Sequence, residues 1–162
     1  MTKLKELLDE KADYYNNPSF ILNDPISIPH GFTVKQDKEI MGFFAATLAW
    51  GQRKTIINKC NELADRFDNE PYKFITGYGN EDLKNLTGFK HRTFNETDLL
   101  YFVDYLRRFY NENDSLEDAF LTDGSFISIE NSLIGFEYNF FDYPYAPVRT
   151  RKHVATPARN SA

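Results

Sequence analysis

The residues best suited to chemistry in this sequence are cations set among aromatic, glycine and capping residues. Phe89-Lys90-His91-Arg92-Thr93-Phe94 holds three basic side chains between two phenylalanines, directly before Asn95, a natural helix cap. Arg149, Arg151, Lys152 and His153 form a second basic cluster, again close to a helix start at Thr156-Pro157. Both suit contact with phosphate oxygens. The first equally suits a solvated loop that offsets Glu81, Asp82 and Glu96, and the second a basic linker. A third group, Gln52-Arg53-Lys54, follows Trp50-Gly51, read as buried, and puts two cations at a helix N-terminus, where the dipole disfavours them. A bound anion or an acidic partner would explain that placement; so would projection into solvent. The candidate nucleic-acid contacts are therefore Arg53, Lys54, Lys90, His91, Arg92, Arg149, Arg151 and Lys152.

Other patterns offer less. Phe74-Ile75-Thr76-Gly77-Tyr78-Gly79 fits the hairpin of a helix-hairpin-helix, in which two glycines let backbone amides approach a phosphate. Glu81 and Asp82 in the following turn would repel that phosphate, and a plain turn is the competing reading. His30, His91 and His153 share no metal-ligand spacing and read as surface or capping residues. A hydrolase using His30 or His91 lacks a nucleophile and base that the sequence brings together. Glu39 could be a buried acid, without a visible partner. No phosphate-binding loop, dinucleotide fingerprint or zinc-protease helix occurs, so neither cofactor nor metal is expected and the catalytic residues, if any, are not legible.

Helices must position these groups. Leu4, Leu7, Leu8, Ala12 and Tyr15 recur at three- and four-residue intervals, an apolar stripe on a first helix that Asn16-Asn17-Pro18 ends. Pro18, Pro25, Pro29 and Gly31 predict an irregular connection. From Asp37 to Trp50 nearly every position after Glu39 is apolar, as in a central helix buried on several sides, with Ala45, Ala46 and Ala49 allowing close approach. Arg53 to Phe67, Pro71 to Ile75, Asn80 to Leu86, a segment capped by Asn95, a short one opened by Ser115, and a last one after Asp123-Gly124 complete the count. The expected fold is all-α, an irregular orthogonal bundle of six to eight helices without strands. Residues 1–142 form the helical domain; residues 143–162 form a basic connection and the start of a truncated helix.

Composition bounds the partners. The chain has 162 residues, 15 Phe, 10 Tyr and one cysteine, Cys60. Most aromatics fall on helical apolar faces and read as core, the alternative being exposed stacking platforms for bases. Up to Asp142 there are 15 Lys/Arg against 24 Asp/Glu, whereas from Tyr143 onward there are four Lys/Arg and no acid. Such a body repels phosphate over most of its surface, so any nucleic-acid contact must be local. A lone cysteine, a charged N-terminus and no long apolar run favour a cytoplasmic, non-membrane protein.

Four strings together resemble a family: Asp24-Pro25-Ile26-Ser27-Ile28-Pro29-His30, the run from Phe43 to Lys54, Phe89-Lys90-His91-Arg92-Thr93-Phe94, and Arg151-Lys152-His153-Val154-Ala155-Thr156-Pro157-Ala158-Arg159. They are similar to the bacterial family named domain of unknown function 2400, which carries no established activity. Its members continue past the Thr-Pro-Ala-Arg string, which implies that this chain is the N-terminal portion of a larger helical protein and is not catalytic alone. A more distant resemblance is to the N-terminal part of helix-hairpin-helix DNA glycosylases, whose catalytic residues map to no position here. Two partner classes follow: DNA, met through the basic strings by a DNA-repair glycosylase-like protein, or a protein met through an acidic, aromatic helical surface.

Overall fold

The computed structural model describes residues 2–121 and 124–154. Among the described residues eight α-helices run in the order α1 (Thr2–Tyr15), α2 (Pro18–Ile21), α3 (Ser27–His30), α4 (Lys35–Thr47), α5 (Arg53–Arg66), α6 (Pro71–Gly77), α7 (Glu96–Tyr110) and α8 (Ile129–Phe141). Three 3-10 helices cover Asp82–Leu86, Leu116–Phe120 and Val148–His153. The fold is an all-α bundle. It departs from expectation between α6 and α7, where β1 (Lys90–His91) and β2 (Phe94–Asn95) pair antiparallel, His91 opposite Phe94. Two residues per strand are too few for a periodicity to register in sequence. The proline-rich connection is likewise not wholly irregular. Pro18 opens α2, where its missing N–H costs nothing, with Asn17 accepting the Ser19 amide, and Pro29 sits inside the single turn of α3.

The core gathers on α4 and α7. Phe102 of α7 meets Phe43 and Phe44 of α4, Phe94 of β2 and Phe140 of α8, with ring centroids 4.8–5.9 Å apart. Ile40, Met41, Phe44 and Leu48 along α4 are wholly buried. The aromatic excess is therefore largely core, in the offset and edge-on geometries such rings prefer. Helix α4 is not enclosed on all sides, however. Ala46 and Ala49 are exposed, and with Gly42, Pro29 and Ile56 they line an apolar cavity of about 630 Å³ between α3, α4 and α5. The apolar stripe of α1 also stays open, Leu4, Leu7 and Leu8 being 50–62% exposed.

Two carboxylates tie the helices together. Asp37 Oδ1 accepts the Tyr72 amide at 2.8 Å, capping α6 from a distance. Glu39, partnerless in sequence, accepts the Tyr110 and Ser115 hydroxyls and the Leu116 amide at 2.6–2.9 Å. Burial works against its charge, yet these bonds and the Lys35 ammonium together hold its carboxyl below the usual range. The Gly77-Tyr78-Gly79 segment ends α6, and Asp82 Oδ2 accepts the Gly79 amide at 2.8 Å. The chain's own acid thus takes the amide that a phosphate would need, and a five-residue 3-10 helix stands in place of a second α-helix.

Candidate nucleic-acid interface

Parts of three of the strings, Trp50-Gly51, the 89–94 hairpin and His153, meet at one corner of the fold, around Trp50. Helix α4 ends at Thr47, and Gly51 turns the chain into α5 with φ of 131°, a conformation side chains rarely adopt. A Cβ on Gly51 would lie 2.9 Å from Nε and Nη2 of Arg92. Glycine at this position therefore lets the β1–β2 hairpin approach. At the hairpin tip Arg92 itself has a left-handed φ of 54°, and its guanidinium sits 5.7 Å above the Trp50 ring. Alternation along the hairpin buries Phe89, His91 and Phe94 and exposes Lys90, Arg92 and Thr93.

The last described element locks onto the same corner. Asn95 caps α7, its side chain accepting the Thr97 and Asp98 amides while Asp98 Oδ2 accepts the Asn95 amide at 3.0 Å. Asp98 is completely buried, and its other oxygen accepts the hydroxyl of Thr150, also completely buried, at 2.7 Å. Arg149 donates to Asn95 Oδ1 and to the Thr93 carbonyl, and lies 3.3 Å from Asp98. The His153 side chain is 1% exposed, with Nε2 3.5 Å from Asp98 Oδ2. Asp98 thus joins a capping box to a long-range ion pair.

Two histidines flank the tryptophan. His91 meets Trp50 edge-on at 6.2 Å and His153 lies tilted at 6.0 Å. Nε2 of each is buried without a hydrogen-bond partner among the described residues. Burial pulls the His91 imidazole below its ordinary range; the Trp50 and Leu48 carbonyls oppose this, and Arg92 and Lys59 reinforce it. Burial does the same to His153, opposed by Asp98 and the Thr93 carbonyl and reinforced by Lys152 and Arg149. Desolvation and neighbouring cations thus favour the neutral form of both rings.

The sequence candidates sort as follows. Lys90, Arg92 and Arg149 converge on the hairpin, and Lys152 is exposed on the 3-10 helix that docks there. Arg53 and Lys54 are exposed just beyond Gly51; Arg53 lies 3.7 Å from Asp24 and 5.4 Å over Phe20. Arg151 turns instead to α8, 3.8 Å from Glu137 and 4.5 Å over Phe141. The sequence reading of His91 and His153 as surface residues is overturned, since both rings pack inside. His91 offers no side chain for a ligand to touch. Trp50, read as buried, is 36% exposed. Asp98 was legible only as a first-turn acid, because its partners beyond the capping box lie more than 50 residues away. The helix start expected at Thr156-Pro157, and Asp123, lie outside the described residues.

Among the described residues no group of three or more His, Cys, Asp or Glu could hold a metal, and no helix is long and apolar enough to cross a membrane. Thr150, Asp98 and His153 do not form a nucleophile relay. The hydroxyl donates to the carboxylate rather than to the imidazole, and all three side chains are sealed from solvent. Residues 24–162 match the model of a family described as protein of unknown function (DUF2400). No curated protein and no solved structure matches the chain.

Proposed function

The chain belongs to the DUF2400 family, whose description assigns no reaction, and on the site's geometry we propose that it contacts nucleic-acid phosphates through the Trp50 corner. The observation that carries this is the convergence of Lys90, Arg92 and Arg149 on one hairpin beside an acid, Asp98, that is fully buried and already paired. An otherwise acidic chain presents there an exposed rim of cations with the half-exposed Trp50 ring beside it. Arg53, Lys54 and Lys152 extend the rim. Duplex DNA is the intended ligand, and the rim supplies the binding; a DNA-repair, glycosylase-like role is the activity this contact would serve.

The test is fluorescence anisotropy of a labelled duplex at low and high salt, with and without an abasic-site analogue. Each phosphate contact removed should lower the salt slope of log K by about 0.9. Lys90→Glu with Lys152→Glu should lower both affinity and slope, whereas Arg151→Glu, whose side chain packs against α8, should leave the slope unchanged. Equal slopes in all variants would refute the assignment. A protein partner is the second reading, favoured by Ile134 and Tyr138, one turn apart on α8 and 52% and 75% exposed. It takes first place if no duplex binds at low salt.

A further inference from the structure

The rim holds two titratable groups that direct contact leaves unused. His91 and His153 come from different elements, β1 and the final 3-10 helix, yet both close on Trp50, the chain's single tryptophan. We infer that phosphate occupancy of the rim and protonation of His91 and His153 are linked, so that the rim holds a nucleic-acid phosphodiester more tightly as pH falls. The inference rests on the rim being the nucleic-acid contact.

The physical reason lies in the groups that face each ring. His91 is faced by Arg92 from the hairpin tip, Lys59 from α5 and the Leu48 and Trp50 carbonyls from the end of α4. His153 is faced by Asp98 from α7, the Thr93 carbonyl from the hairpin, and Arg149 and Lys152 from its own element. With the rim empty, Arg92 and Lys59 repel a proton on His91, and Lys152 and Arg149 repel one on His153. A phosphodiester seated on Arg92 and Arg149 cancels part of that field. The Trp50 and Leu48 carbonyls beside His91 favour its charged form, and at His153 the Asp98 carboxylate lies 3.5 Å from Nε2. Because linkage is reciprocal, whatever factor the phosphate adds to proton affinity the proton adds to phosphate affinity. His30 is exposed on α3 and plays no part.

The experiment uses the whole chain and a labelled DNA duplex at constant ionic strength, at about pH 7.5 and about pH 5.5, a window in which histidine is the side chain that titrates. Affinity should rise by about fivefold on acidification, the lower end of ordinary coupling factors. Calorimetry in two buffers of different ionisation enthalpy should show net proton uptake on binding. Trp50 fluorescence, quenched by an adjacent imidazolium, should fall further at about pH 5.5 when DNA is added. His30→Gln should keep the pH dependence, and His91→Gln and His153→Gln should each reduce it; should those two fail to fold, proton uptake by the unmodified chain still decides. Salt-sensitive binding that is flat in pH, with no proton uptake, overturns the linkage and leaves the contact role standing. Absence of binding at both pH values overturns the contact role itself, and with it the linkage.

Discussion

Asp98, fully buried, joins α7 to the final 3-10 helix, and replacing it by alanine should be severely destabilising. Asp98→Ala removes the reciprocal bond of the capping box, worth about 1 kcal/mol. It strands the fully buried Thr150 hydroxyl, at about 1–3 kcal/mol for an unsatisfied group. It also takes the carboxylate from beside His153 and Arg149, although Arg149 is 39% exposed, so solvent screening limits that share to less than about 1 kcal/mol. The sum is about 2–5 kcal/mol, in the range of other buried pairs broken on one side. With a urea m-value of about 2.5 kcal/mol/M for a chain this long, the unfolding midpoint should fall by about 1–2 M. Asp98→Asn keeps one acceptor and should lose about half as much. Thr150→Val paired with Asp98→Asn in a double-mutant cycle should give a coupling of about 1–2 kcal/mol. Urea titration followed by helical circular dichroism measures all three. A midpoint fall below about 0.3 M for Asp98→Ala, or no coupling to Thr150, would refute the reading of Asp98 as the joint between α7 and the final 3-10 helix.

Three further outcomes follow from the same geometry. Glu39→Ala should cost about 2–4 kcal/mol by stranding donors of Tyr110, Ser115 and Leu116, and hydrogen exchange at the Leu116 amide should accelerate. Because the Glu39 carboxyl is held below its ordinary value of 4.5 when folded, its share of stability is complete above that pH and is lost as pH falls through the folded value. Urea midpoints at about pH 5 and about pH 3 should therefore fall less in Glu39→Gln than in the parent chain. Gly51→Ala should cost about 1–3 kcal/mol in backbone strain and push Arg92 off Trp50, seen as a change in the tryptophan emission of the folded protein. His91 and His153 are held below 6.5 when folded, so the unfolded chain takes up protons first and stability falls as pH drops below about 6.5. Melting temperatures should decline from about pH 7.5 to about pH 5.5, and less so once duplex DNA is present.

How far each feature was legible depended on how far its cause lay along the chain. The caps of α7 and of the segment opened by Ser115 depend on residues within one turn, so Asn95 and Ser115 announced them. The stripes of α5 and α7 follow from a period of 3.6, and their buried faces are those that the periodicity picks out. The basic strings were equally visible as composition. Their partition was not: Lys90, Arg92 and Arg149 share a corner while the side chain of Arg151, two residues from Arg149, turns to α8. A 3-10 helix sends nearby side chains in different directions, and no local pattern records which neighbour each will meet.

By itself the sequence determined an all-α bundle, its principal helix caps, an aromatic-rich core and the strings that carry cations, because these follow from hydrophobic periodicity and from hydrogen bonds closed within a few residues. Only the tertiary structure decided that Trp50 is half open, that His91 and His153 are buried against it, and that Asp98 joins α7 to Thr150, Arg149 and His153. Those are contacts between segments up to about a hundred residues apart. Burial and charge at such a corner belong to the packed whole, since a carboxylate is sealed from water only when every element around it is in place.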